Sequence, residues 1–149
     1  MESAYFNPSD IRTSSQNHQL KTDASYRFER GIDPNITIYA LKYAALLICK
    51  YSGGAVTSKV YDKYPKEIEN QNIEFNLERI NQLAGHNFNK NEIIKILNSL
   101  DIEVKEKKSV LFANVPPYRV DVTREADILE EILRVYGYNN LKISKSNKS

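Results

Sequence analysis

The chain has 149 residues, 41% hydrophobic and 27% charged, with a formal net charge of +2, a composition that suits one globular domain or two small ones and excludes a disordered tract. Its longest strongly apolar run, Tyr43 to Cys49, is far short of the roughly 18 residues of a membrane span, and no secretory leader pattern opens the chain. A single cysteine, Cys49, and two histidines, His18 and His86, give no disulfide framework and no Cys/His metal cluster, so a reducing, cytoplasmic setting is expected.

In chain order, residues 1–30 are rich in Ser, Asn, Asp and Thr without sustained periodicity and read as loops and short turns. Asp33-Pro34-Asn35 supplies a cap and a first-turn proline, and Ile36 to Ser52 reads as a helix ended by Gly53-Gly54. That helix is apolar on nearly all sides, interrupted mainly by Lys42 and Lys50, the pattern of a helix buried between other elements. The first 68 residues offer too few partners to bury it, so the chain is expected to begin inside a larger domain. Ala55 to Tyr61 reads as a strand, and Tyr64-Pro65-Lys66 with Glu67 to Asn72 as a linker.

The second part is more self-contained. Ile73 to Asn76 reads as a short strand, Leu77 to Ala84 as a helix stopped by Gly85, and Lys90 to Leu100 as a helix with Ile93, Ile94, Ile96, Leu97 and Leu100 inward. Ile102 to Lys105 and Val110 to Val115 alternate as strands about the turn Glu106-Lys107-Lys108-Ser109. Thr123 is a candidate cap for a last helix, Arg124 to Tyr136, ended by Gly137, and Ser144 to Ser149 read as disordered. The fold class expected is α+β: an incomplete N-terminal segment with one buried-type helix, over 1–66, then a small winged-helix-like module of three helices and a β-hairpin, over 69–144, with a disordered tail over 145–149.

Charge is informative only locally. Lys and Arg outnumber Asp and Glu by 9 to 7 in residues 1–68 and balance at 12 to 12 in residues 69–149, so neither half is a general polyanion binder. Residues 121–131 hold five acids against one base, Arg124. Asp121, Asp127, Glu130 and Glu131 are the densest cluster; on the last helix Asp127 and Glu131 stand at i and i+4 with Glu130 at i+3, so the carboxylates of these three can converge on one side, and hard cations such as Mg2+ take oxygen ligands. On spacing alone, a solvated helix face explains them better, with the acids favouring the macrodipole and Glu130 with Arg134 an ordinary i,i+4 pair. Lys105, Lys107 and Lys108 could form a wing touching phosphate, against which stands a charged hairpin tip that solubility alone explains. Nucleophilic catalysis finds no support: Cys49 lies in the most apolar helix, neither histidine has a triad-like neighbourhood, and Gly53-Gly54 lacks the Lys-Ser/Thr of a phosphate loop.

Two long strings carry a resemblance. Glu2-Ser3-Ala4-Tyr5-Phe6-Asn7-Pro8 with the run Leu20 to Pro34, LKTDASYRFERGIDP, resembles the end of the B-three/B-four domain of bacterial phenylalanine-tRNA ligase beta subunits. Val115-Pro116-Pro117-Tyr118-Arg119-Val120-Asp121-Val122, followed by Glu125 to Ile132 and Arg134 to Tyr138, is similar to the signature closing the B-five domain of the same subunit. The resemblance covers nearly everything from Glu2 to Leu141 in the family's order.

It implies that Asp121, Asp127, Glu130 and Glu131 are magnesium ligands, which moves the metal reading ahead of the solvated face. It implies that Glu2 is a remnant of an editing pocket that recognises the para-hydroxyl of a misattached tyrosine, a hydroxyl that phenylalanine lacks. It implies a winged-helix-like B-five domain with room for DNA or RNA contact. It also implies an alpha2-beta2 enzyme in which the alpha subunit carries the aminoacylation site for ATP, phenylalanine and tRNA, so that this stretch itself has no catalytic residue and serves assembly, tRNA handling and metal binding. The alternative is a free-standing winged-helix nucleic-acid binder resting on Lys105, Lys107 and Lys108.

Overall fold

The computed structural model describes residues 1–107 and 110–141; the expected tail and Lys108 of the basic turn fall outside them. The chain divides into two units, Met1–Ile68 and the residues from Glu69 onward. Among the described residues no helix is long and apolar enough to cross a membrane.

The first unit corrects the reading of residues 1–30 as loops. Helix α1 spans Pro8–Asn17 and α2 spans Asp23–Phe28. Local capping explains both. The Asn7 side chain accepts a hydrogen bond from the Ser9 amide at 2.9 Å, with Pro8 at the first helical position. Thr22 and Ser25 close a reciprocal capping box, the Ser25 amide donating to Thr22 Oγ1 at 3.1 Å and the Thr22 amide to Ser25 Oγ at 2.9 Å. Phe6 meets Phe28 edge to face at 5.1 Å, tying the segment before α1 to the end of α2.

A 3-10 turn, Pro34–Ile36, leads into α3, Thr37–Ser52, and Gly53 ends it at φ +70°. None of the residues of α3 is buried; Tyr39, Tyr43, Leu46 and Tyr51 are exposed. The expected strand over Ala55 to Tyr61 is absent: the backbone there pairs with no ladder and its residues are exposed. A β-propensity run without a neighbour has nothing to satisfy its amides except water.

The second unit contains the core. Strand β1 spans Gln71–Phe75, helix α4 Leu77–Ala84, helix α5 Lys90–Asn98, strand β2 Glu103–Lys107, strand β3 Val110–Val115 and helix α6 Glu125–Tyr136. The strands form one antiparallel sheet in the order β1-β3-β2, with Ile73 opposite Ala113 and Val104 opposite the same Ala113. The first strand therefore starts two residues earlier than the apolar pattern indicates, drawn out by pairing of Gln71 with Val115.

Alternation puts Leu111, Ala113 and Val115 of β3 on the buried face, where they meet Ile80, Ile93, Leu97, Ile128 and Ile132 from the helices. Asn76 caps α4 by accepting from the Glu78 and Arg79 amides, and Asn89 caps α5 by accepting from the Glu92 amide. Gly85 stops α4 at φ +62°. After α5 the left-handed position falls on Asp101, φ +60°, and the Ile102 amide reaches back to the Leu97 carbonyl at 3.0 Å. Tyr118 donates its hydroxyl hydrogen to Asp101 Oδ2 at 2.8 Å, joining that turn to the segment after β3.

Candidate functional site at the start of the last helix

Pro116 and Pro117 end β3 and force the chain through tight turns, the Arg119 amide donating to Pro116 O and the Val122 amide to Arg119 O. Val122 is buried, so it anchors the segment and fixes which way Arg119 and Asp121 leave it. Thr123, expected to cap α6, does not. The cap position is Arg124, and the Asp127 carboxylate reaches back: its Oδ2 accepts from the Thr123 amide at 2.9 Å, from Thr123 Oγ1 at 3.1 Å and from the Arg124 amide at 3.1 Å. Asp127 wins because one carboxylate oxygen satisfies three donors at the positive end of the helix, whereas the threonine hydroxyl is spent as a donor to it.

Glu131 sits on the buried side of α6, beside Ile128 and Ile132. Two guanidinium groups hold it: Arg119 Nη2 at 2.8 Å from Oε2, and Arg134 with Nη2 at 2.5 Å from Oε2 and Nε at 3.3 Å from Oε1. Arg119 also forks onto Asp121, at 2.9 and 3.2 Å. The two residues in the centre are the enclosed ones, with side chains 13% exposed for Arg119 and 8% for Glu131, against 59% for Asp121 and 56% for Arg134. The i,i+4 pair expected between Glu130 and Arg134 is replaced by the i,i+3 pair of Arg134 with Glu131. Glu130 is exposed on α6, and its side chain makes no ion pair or hydrogen bond with another described residue.

The charges follow from these contacts. The hydrogen bond from Arg119 holds the Asp121 carboxyl below its ordinary range. For Asp127 the backbone hydrogen bond from Thr123 lowers it most. Burial works to raise Glu131, and the hydrogen bonds from Arg134 and Arg119 together outweigh it, so this carboxyl too is held low.

Glu125, the fifth acid, is also engaged. Its Oε1 accepts from the Asn76 amide at 2.9 Å and its Oε2 pairs with Arg79 Nε at 3.2 Å, fastening α6 to the start of α4. Of the basic residues, Lys105 pairs with Glu103 at 3.0 Å on its own strand, Lys107 is exposed at the end of β2, and Lys90 pairs with Glu106. His86 packs on Phe88 and Tyr136 at 4.6 and 5.0 Å, a structural contact. In the first unit, Glu2 is exposed at the rim of a cavity of about 1050 Å³ that Tyr5, Pro34, Leu41 and Val60 help line.

Comparison with known proteins finds relatives along the whole chain. Residues 1–53 match the B3/4 domain and residues 73–138 the tRNA synthetase B5 domain. The phenylalanine-tRNA ligase beta subunit of Bacteroides fragilis (strain YCH46) is 43% identical over 150 residues, covering 100% of this chain and 18% of its own length. The chain belongs to the phenylalanine-tRNA ligase beta-subunit family. The beta subunit of Bacteroides thetaiotaomicron is 44% identical over 144 residues, or 96% of this chain, and that of Geobacter metallireducens 41% identical over 145 residues, or 97%. Each is matched over 18% of its length.

Magnesium, the ion implied for this family, is tested by the donor set. Carboxylate oxygens are the right ligand chemistry. Their arrangement is not: Asp121 and Glu131 face guanidinium groups, Asp127 faces amides, and among the described residues no group of three or more His, Cys, Asp or Glu side chains is placed to hold a metal. As they stand, the four carboxylates do not fit the ion.

Proposed function

We propose that the chain acts as the B3/4-end and B5 portion of a cytoplasmic phenylalanine-tRNA ligase beta subunit, non-catalytic in itself, contributing to assembly with an alpha subunit in an alpha2-beta2 enzyme and to handling of tRNA. What carries the reading is the 43% identity over 150 residues, together with two family domains in the family's order. Attachment of phenylalanine to tRNA with ATP belongs, in this reading, to the alpha subunit. A beta subunit carrying this stretch, co-expressed with its alpha chain, is expected to co-purify as a tetramer that charges tRNA with phenylalanine. A complex that forms and charges equally well after deletion of residues 69–141 removes the assembly role.

Three finer assignments belong to the same proposal. Ligation of Mg2+ by Asp121, Asp127, Glu130 and Glu131 in the assembled enzyme would require these carboxylates to leave the Arg119, Arg134 and amide partners they have in this structure; metal content of wild type against Asp127→Asn with Glu131→Gln should then differ by one site, and equal content refutes it. Glu2 would accept the para-hydroxyl of tyrosine in an editing pocket, and Glu2→Ala should raise Tyr-tRNA accumulation while leaving phenylalanine attachment unchanged.

The second unit would be winged-helix-like, supported by its β1-β3-β2 sheet with two helices before the β2–β3 hairpin. A nucleic-acid role for its wing would show as salt-sensitive DNA or RNA affinity lost on changing Lys105, Lys107 and Lys108 to Glu. Pairing of Lys105 with Glu103 weighs against that role.

A further inference from the structure

The chain enters the second unit through consecutive amide side chains, Asn70-Gln71-Asn72, all exposed. They are gripped from both faces of the sheet. On the outer face Asn114 of β3, opposite Asn72 in the register, donates through Nδ2 to Asn72 Oδ1 at 3.0 Å and accepts through Oδ1 from Asn70 Nδ2 at 2.5 Å. On the other face, which Gln71 shares with Ile73 by alternation, Gln71 Nε2 donates to the Thr123 carbonyl at 3.1 Å. Thr123 is also the residue whose amide and hydroxyl bind Asp127 at the start of α6. Ile73 is the first residue of β1 to reach the core. Opening the grip on Asn70 to Asn72 therefore exposes almost no apolar surface. Exposed neutral hydrogen bonds exchange for water at small net cost, which puts this stretch among those that open well below the global unfolding free energy.

We infer that Asn70, Gln71, Asn72 and Asn114 form a releasable clamp that sets where the segment joining the two units ends. Closed, it anchors the second unit from Asn70 onward. Open, it releases Asn70 to Asn72 into the connecting segment, roughly 10 Å of extended chain, while Ile73 and Phe75 stay packed. Asn114 is the centre of the clamp because an amide side chain donates and accepts at once, and both capacities are used on the incoming chain.

The test is amide hydrogen exchange, read by NMR on the 149-residue chain in water and in urea below the unfolding transition. Successive residues of an antiparallel strand alternate in pairing, so either Gln71 or Asn72 donates its amide to β3, and that amide reports on the clamp. Its exchange is expected to be faster than that of Leu97 in the core helix α5 and indifferent to urea, whereas Leu97 follows the urea-dependent global opening. Asn114→Ala, and independently Gln71→Ala, should speed the reporter about tenfold, the scale of one net hydrogen bond, without making it urea-dependent. Ile73→Val acts on the closed and open clamp alike, so it should speed Leu97 severalfold and leave the reporter unchanged. A reporter with the rate and urea dependence of Leu97 overturns the inference. So does a reporter that neither clamp variant speeds, or one that Ile73→Val speeds as much as Leu97.

Discussion

Arg119 is the residue on which the second unit's polar interior turns. Leaving Glu131 with one exposed arginine in place of two should cost about 2–3 kcal/mol, the low end of what breaking a buried pair costs, because Arg134 still compensates part of the charge. Urea denaturation of Arg119→Ala should give that value. The double variant Arg119→Ala with Glu131→Ala should be more stable than the sum of the two single losses predicts, since the stranded charge is then gone.

Acid should act on the same residues. Asp121, Asp127 and Glu131 all have folded-state carboxyls below their ordinary range. Stability from them is therefore complete above the unfolded value, about 4, and is lost as pH falls below it. Melting temperature should be level at mildly acidic pH and fall beneath about pH 4, with a shallower fall in Asp127→Asn. None of this was legible in the sequence. Arg119 and Glu131 are twelve positions apart, joined across a double-proline turn whose path no local pattern encodes. The acids themselves were visible; the partners that occupy them were not.

At the scale of elements, caps decide more than hydrophobic periodicity. The limits of α4 were readable because Asn76 and Gly85 bracket them, and β3 because apolar residues alternate from Val110 to Val115. α1 and α2 escaped because they bury almost nothing and so show no apolar stripe. Their only signals were Asn7-Pro8 and the Thr22–Ser25 box, both present in the string. Val56 and Val60 misled in the opposite sense, offering β-propensity where no strand among the described residues pairs with them.

Gly85 allows a clean measurement of one such stop. A Cβ built there meets nothing within 4 Å, yet the backbone lies at φ +62°. Gly85→Ala should therefore cost about 1 kcal/mol through backbone conformation alone, and denaturant midpoints of the two forms will show it. Asn at the same position should recover part of the loss, because Asn tolerates the left-handed region.

For the whole molecule, the buried apolar residues all belong to the second unit apart from Pro34, and the first unit adds only Ser15 to its buried set. Unit stability should follow. Under native conditions trypsin is expected to cut first within the exposed stretch holding Lys59, Lys63 and Lys66, and mass spectrometry should find the portion from Glu67 onward persisting longest. Rapid loss of that portion instead would show the core to be less cooperative than its packing indicates.

The position of β3 in the middle of the sheet sets an order of assembly. Its pairing with β2 closes a short hairpin, while its pairing with β1 must bring Gln71 to Val115 across the whole of α4, α5 and β2. Loop closure of that length is slower and more costly than the hairpin. The hairpin with α5 would then form the nucleus, and β1 would dock late. Refolding rates should respond strongly to changes in β2 and β3 and little to Ile73→Val, whose loss would appear in the unfolding rate.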